Sequence, residues 1–276
     1  MEERYDLTML SVIIITKNEE SRIKTCLESV KWADEILIID QFSSDKTLEI
    51  AKQYQAKIYQ SENDDFSVRR NLGAEKAAGD WLLYVDADER VTAELKDELF
   101  SIFEDSKYSA YAISRQNVIW GEKKSYGPFY PDWVIRLIHK PHFKKWVGKV
   151  HEYPQFDGEL GYTKASFIHL THRNVEQVIL KNLEWSKIDA KLRFDAHHPQ
   201  MSGWRFLRIF ITETWYQGVV RKGFFNGSVG VIDSLMQSFF LLTSYVRLWE
   251  MQQKKPLDQI YDDLDKKFIE KGFKLD

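Results

Sequence analysis

The chain has 276 residues, 43% hydrophobic and 29% charged, which excludes disorder, collagen-like repeats and a disulfide scaffold. That length suits one large domain, or one domain with a substantial appendage. With 39 basic against 42 acidic side chains the formal net charge is −3, so no global field draws in nucleic acid and none is expected as a partner.

From the N-terminus, residues 1–9 are charged and run straight into an apolar stretch, without the basic start, apolar middle and small-residue cleavage site of a signal peptide. Residues 10–16 form a short β-branched run, the mark of a strand buried on both faces. A helix follows from Asn18 to about Trp32, with Ile23, Leu27 and Val30 on one stripe and the single cysteine, Cys26, beside them. One cysteine allows no intramolecular disulfide and no Cys/His metal cluster, which points to a reducing compartment. Residues 35–40 read as a second buried strand, and 43–45 open a second helix. Residues 57–59 make a weaker third strand, 66–78 a helix ended by Gly79, and 81–85 a fourth strand running into Asp86-Ala87-Asp88. Strands alternating with helices of this length imply right-handed βαβ units and a mostly parallel sheet, in which ligands collect at the carboxyl ends of the strands. The stretch 16–19, Asp40 and 86–88 all fall there.

Between 108 and 171 the pattern changes to short strands punctuated by Gly and Pro, at 110–113, 134–138 and 166–170. After Asn174 it is helical to the end, over 201–216, 219–230 and 231–249. The division expected is a catalytic domain over 1–175, with a nucleotide half to about 105 and an acceptor half beyond, and a helical region over 176–276. The longest apolar runs, 12–15 and 239–242, fall far short of the ~18 residues that span a bilayer. The expectation is a cytoplasmic protein, with lying on a membrane surface left open.

Asp86 and Asp88, two apart where a strand frays, can reach one hard divalent cation together with a substrate's phosphates. The bland alternative is a solvated turn. Arg69 and Arg70 sit on one helix, where an arginine can neutralise a diphosphate.

Three blocks in order, LSVIIITKNEE (10–20), WADEILIIDQFSSDKT (32–47) and RNLGAEKAAGDWLLYVDADER (70–90), resemble the signature blocks of family 2 glycosyltransferases with the GT-A fold. PDWVIRL (131–137) and GKVHE (148–152) resemble the bacterial lipopolysaccharide-core β-glucosyltransferases within that family. The resemblance implies a GT-A catalytic domain, Rossmann-like with a mostly parallel sheet, followed here by a helical C-terminal extension. By position, Thr16, Asn18, Glu19, Asp40, Arg70 and Asp86 match donor-binding residues. Asp88 and Asp86 match the ligands of Mg²⁺ or Mn²⁺, with His151 a further candidate. Gln41-Phe42 departs from the small or acidic pair common after this aspartate. An inverting transferase also needs a carboxylate to take the acceptor hydroxyl's proton. Glu152 is the first choice and Asp132 the second, the alternative for Glu152 being a salt bridge. His139, His142, His169 and His172 are expected to be structural.

The implied activity is transfer of a hexose from a nucleotide diphosphate sugar, UDP-glucose first, to a lipopolysaccharide-core or other cell-envelope glycolipid. A lipid-carrier-linked intermediate, a protein acceptor and a catalytically inactive nucleotide-sugar-binding protein are the alternatives. A nucleotidyltransferase would carry a glycine-rich, basic phosphate loop after the first strand, and 16–20 is not one. In the helical region Arg205, Arg208, Arg221 and Lys222 lie among Trp204, Phe206, Trp215 and Phe225, which suits either docking at the inner face of the cytoplasmic membrane or packing on the catalytic domain.

Overall fold

A computed structural model describes residues 8–124, 131–148 and 152–272. Two compact units divide the described chain, one running to Thr171 and the other from His172 onward.

The first unit is a mixed α/β layer structure. Strands β1 (Leu10–Thr16), β2 (Glu35–Asp40), β3 (Lys57–Gln60) and β4 (Trp81–Asp86) run parallel in the order β3-β2-β1-β4. The short β5 (Glu89–Val91) follows directly. The sheet continues through β8 (Asp132–His139), β6 (Ala110–Ile119) and β11 (Leu160–Leu170), and ends at β5. There β6 and β11 are parallel while β8 and β5 run antiparallel to their neighbours. β7 (Glu122–Lys123) pairs with β6, and β9 (Phe143–Val147) pairs with β10 (Tyr153–Phe156) in a separate ribbon. Helices α1 (Ile23–Val30), α2 (Thr47–Gln53), α3 (Phe66–Lys76) and α4 (Ala93–Glu104) flank the sheet. The sheet is mostly parallel on the nucleotide side, as the strand and helix spacing requires.

Two apolar layers sandwich β1, β2 and β4. One joins Val12, Ile14, Ile38 and Leu83 to α1 and α4, the other joins Ile13, Leu37, Ile39 and Tyr84 to α3. Burying each such aliphatic side chain contributes about 1.5–3 kcal/mol. Helix α3 sits close because Gly73 faces Ile13: a Cβ there would lie 2.4 Å from Ile13 Cγ2. One turn before Gly73 stand Arg69 and Arg70, so this close approach delivers two guanidinium groups to the carboxyl ends of the strands.

The second unit is helical: α5 (Val175–Asp195), α6 (Gly203–Trp215), α7 (Gly227–Met251) and α8 (Leu257–Glu270). Asn174 caps α5 through its side chain, as its position before the apolar pattern suggests. Residues 219–230 do not form a helix of their own. A π turn at Tyr216–Val220 and a 3₁₀ turn at Gly223–Phe225 break the chain, and α7 begins at Gly227. α7 also corrects the expectation of no spanning candidate. Ser, Asp and Arg interrupt its apolar run, yet an 18-residue window has a mean hydropathy of 1.3, enough to cross a membrane by length and composition.

Candidate active site

The loops after β1 and β2 are stitched together by their own polar side chains. Thr16 Oγ1 donates to Asp40 Oδ1 at 2.9 Å, and the Ser43 amide donates to Asp40 Oδ2 at 2.8 Å. Ser43 Oγ also donates to Asp40, and in turn accepts from the Asn18 amide. Asn18, in the left-handed region at φ 54°, accepts from the Ser44 amide, and the Glu19 amide donates to Thr47. Asp40 is fully buried and Thr16 nearly so. Their hydrogen bonds hold the two loops in shape. Asn18 and Glu19 stay at the rim, with Glu19 paired to Arg22 at 3.2 Å. Phe42 stands exposed beside them in the left-handed region at φ 49°, a conformation that costs a bulky residue about 1–3 kcal/mol.

The turn 86–90 is stapled by its own next residues. Glu89 Oε2 accepts from the Asp86 amide at 2.9 Å, while Arg90 donates to the Ala87 carbonyl at 2.8 Å and to the Arg22 carbonyl at 3.0 Å. Asp86 faces two guanidinium cations. Arg70 Nη2 donates to its Oδ1 at 2.9 Å and Arg136 Nη2 to its Oδ2. Burial pushes this carboxyl up, but Arg136, Arg70 and Arg115 outweigh that and hold it well below the usual carboxylate range. Both Asp86 oxygens are engaged by guanidinium groups, so in this structure the carboxylate anchors Arg70 and Arg136.

From Asp86 a chain of alternating charge runs around the strand ends. Arg136 reaches Glu89 Oε1 at 3.4 Å, and Arg115 reaches the same oxygen at 3.4 Å. Arg115 then grips Asp132 Oδ2 with Nη2 at 2.8 Å and Nε at 2.9 Å, and Asn117 Nδ2 donates to that oxygen at 3.0 Å. Register explains this contact, since Arg115 and Asp132 are directly opposed on β6 and β8. Asp132 is buried within it, so its carboxylate holds Arg115 and Asn117, and the role of base expected as second choice has no support here. On the other side of Asp86, Arg70 Nε donates to Glu152 Oε1 at 3.3 Å. The salt bridge anticipated for Glu152 therefore exists, and it points this carboxylate at the same cluster.

Arg136 is the hinge of the network, buried between two carboxylates. Removing one partner from a buried ion pair costs about 3–5 kcal/mol. Arg136→Met should lower the urea-unfolding free energy by that much. A loss under about 1 kcal/mol, the range of exposed pairs, would show that solvent screens the network.

Asn117 carries the chain to one more residue. With Nδ2 donating to Asp132, its Oδ1 accepts from His169 Nδ1 at 2.6 Å. His169 and Asn117 are register partners on β11 and β6, and the Leu170 amide donates to the Asp88 carbonyl at 2.8 Å. A neutral His169 then carries its lone pair on Nε2, which lies 3.4 Å from Asp88 Oδ2. Two acceptors that close require a proton or a cation between them. A proton makes the pair a salt bridge, and the same two groups are of the type that a divalent cation accepts as ligands. Among the described residues no cluster of three His, Cys, Asp or Glu side chains forms, so the remaining positions would fall to substrate oxygens and water. His151 lies outside the described residues. His139, by contrast, stacks on Trp81 and His142 at the opposite end of β4, as a structural residue would.

On α3 two guanidinium groups keep unused N–H edges. Arg70 Nη1 and Arg69 Nε are buried without a partner among the described residues. Arg69 is only 3% exposed, and its nearest charge-compensating contact is the ring of Phe66 at 4.6 Å. Burial and then the charge of Arg70 push its guanidinium below the ordinary value, against the more distant Asp64, Glu152 and Asp40.

His169 was expected from sequence to be structural, and Asn117, Glu89, Arg115 and Arg136 were not singled out. The available signal was charge inside buried strands: Arg136 interrupts 134–138, Arg115 follows 110–113, and a buried charge needs a partner.

Residues 11–156, more than half of the chain, match the model of glycosyl transferase family 2. An uncharacterized glycosyltransferase of Rickettsia typhi is 28% identical over 261 residues, covering 89% of this chain and 88% of its own. The SPbeta prophage-derived glycosyltransferase SunS of Bacillus subtilis is 32% identical over 158 residues, or 55% of this chain and 36% of its own. Among solved structures, S. aureus TarS 1–349 in complex with UDP-GlcNAc is similar over 87% of this chain and 82% of its own, at 14% identity and a TM-score of 0.45. The family match spans Asp86, Asp88, Asp132 and Glu152 and all of the parallel strands β1 to β4, and on it the chain belongs to glycosyl transferase family 2 and is a glycosyltransferase.

Proposed function

We propose that this glycosyltransferase moves a hexose, glucose from UDP-glucose, onto a cell-envelope glycolipid of the lipopolysaccharide-core type, with inversion and with Mg²⁺ or Mn²⁺. The observation that carries a nucleotide diphosphate sugar as donor is the pair of buried, unfilled guanidinium edges of Arg69 and Arg70, the latter paired with Asp86 two residues before Asp88. A diphosphate supplies the missing acceptors. Phe42, exposed at the end of β2, offers a face for the base, and Asn18 and Glu19 line the same rim. The choice of sugar and of a glycolipid acceptor rests on the likeness of 131–137 and 148–152 to lipopolysaccharide-core enzymes.

In this reading Asp88 and His169 would hold the cation, which would supply positive charge for the departing diphosphate. Arg69 and Arg70 bind the same diphosphate, and Asp86 and Trp146 keep Arg70 in place: the Trp146 ring lies 4.9 Å from its guanidinium carbon. Glu152 takes the proton of the acceptor hydroxyl. That oxygen bonds to the anomeric carbon as the bond to the diphosphate oxygen breaks, and UDP leaves with the electron pair.

The test is thermal shift of the full chain with UDP and UDP-sugars, with and without Mn²⁺. Binding to the folded state at about 100 times Kd stabilises by about 2.7 kcal/mol. UDP with Mn²⁺ should raise Tm, and no UDP-sugar shift under any condition would refute the donor assignment. Arg69→Met adds a sharper readout. Loss of a charged hydrogen bond should weaken UDP binding about tenfold or more, while the ligand-free protein should melt no lower, because an unpaired buried charge has been removed. A ligand-free protein that melts lower with unchanged UDP affinity would make Arg69 structural.

A further inference from the structure

The second unit has its polarity reversed. Its buried apolar cluster consists of Ala190, Met201, Ile209 and Leu248. On α7 the inward side is small and polar, with Gly230, Asp233, Ser234, Ser238 and Ser244 buried. The opposite side, Ile232, Leu235, Phe239 and Val246 at i, i+3, i+7 and i+14, is exposed. α6 repeats the pattern: Trp204, Leu207, Ile211 and Trp215 at i, i+3, i+7 and i+11 form one exposed stripe, with Trp204 70% and Trp215 62% accessible. In the turn between the helices Phe225 is 73% accessible. Stripes of this length on a water-facing surface mark an interaction site, and small or polar residues turned inward with apolar ones outward is how helices meet lipid.

Charge decides the occupant. Between 200 and 230 the basic residues are Arg205, Arg208, Arg221 and Lys222, against the single acid Glu213, in a chain whose net charge is −3. Arg208 is exposed and follows the α6 stripe directly. A second copy docking the same face about a two-fold axis would set these arginines against each other. An anionic bilayer surface supplies both an apolar phase for the tryptophans and phenylalanines and phosphates for the arginines.

We propose that α6, the 216–226 turn and the outer stripe of α7 form a membrane-docking face that lies in the headgroup region of an anionic bilayer. This is independent of the donor assignment, since none of these residues belongs to the candidate active site.

Co-sedimentation of the full chain tests it, with vesicles of phosphatidylcholine alone and of phosphatidylcholine with phosphatidylglycerol. The protein should pellet with the anionic vesicles, at least tenfold less with the neutral ones, and less at high salt. The double variants Trp204→Ser/Trp215→Ser and Arg205→Ser/Arg208→Ser should each lower binding about tenfold while keeping the wild-type circular dichroism melt and UDP thermal shift. Trp204, Arg208 and Trp215 are exposed and Arg205 partly so, and the variants should therefore fold. Three results would overturn the proposal: no pelleting with either vesicle at any salt; a dimer in sedimentation equilibrium that Trp204→Ser/Trp215→Ser dissociates, which assigns the face to a second copy; or membrane retention that only detergent releases, which makes α7 a spanning helix.

Discussion

Asp88→Asn should abolish sugar transfer while leaving the fold intact. The side chain keeps its size and its place after β4, where the Asp88 carbonyl still accepts from the Leu170 amide. What disappears is the negative charge 3.4 Å from His169 Nε2. If Asp88 and His169 are the protein's share of a cation site, one neutral amide cannot replace the carboxylate toward a hard divalent ion. A bound cation contributes several kcal/mol of transition-state stabilisation, and each 1.36 kcal/mol is about tenfold in rate, so the loss should be roughly three orders of magnitude. Free Mn²⁺ measured by electron paramagnetic resonance gives a readout apart from activity: wild type should deplete it in the presence of UDP and the variant should not. The unfolding midpoint should stay near wild type, because the strong ion pairs of the turn are made by Asp86 and Glu89. Near wild-type turnover with normal Mn²⁺ uptake would remove Asp88 from the metal site.

The legible part of this protein was its periodicity. The β-branched runs 10–16 and 35–40 could only be buried strands, and both fall where expected because aliphatic side chains on both faces leave no other stable placement. The carboxyl ends of β1, β2 and β4 were therefore the expected ligand edge. The site itself was half legible. Asp88 and Glu152 are local motif residues, and a motif shows in one dimension. His169 and Asn117 are 52 residues apart and meet through the parallel register of β6 and β11, which no local pattern encodes. Asp86 and Asp40 show the converse. Each has the residue type for a ligand contact, and the fold also sets hydrogen-bond donors on both carboxylate oxygens, Arg70 and Arg136 in one case and Thr16 and Ser43 in the other, a pairing that no linear pattern shows. The reversed polarity of α7 was hidden for a similar reason: only packing tells which side of an evenly mixed helix faces inward.

Glu152→Gln should lower kcat by about 10²–10⁴ with donor affinity preserved. The substitution suits the geometry. Arg70 Nε donates to Glu152 Oε1 at 3.3 Å, and a glutamine carbonyl can accept the same bond, so the side chain should hold its place. Arg70 also stays anchored by Asp86 at 2.9 Å and by the face of Trp146, so its own contribution to the donor site survives. The one property lost is the capacity to take a proton, which is why the split between kcat and donor affinity identifies a base rather than a binding residue. Weakened UDP-sugar binding with little change in kcat would instead place Glu152 in the donor site through Arg70. Asp132→Asn serves as the comparison. Its carboxylate is gripped twice by Arg115 and once by Asn117, so its loss should appear as a lower unfolding free energy, because Arg115 would keep only Glu89 at 3.4 Å. An unaffected Glu152→Gln enzyme beside a folded but inactive Asp132→Asn enzyme would move the base to Asp132, and the Arg115 pair would then have to open during turnover.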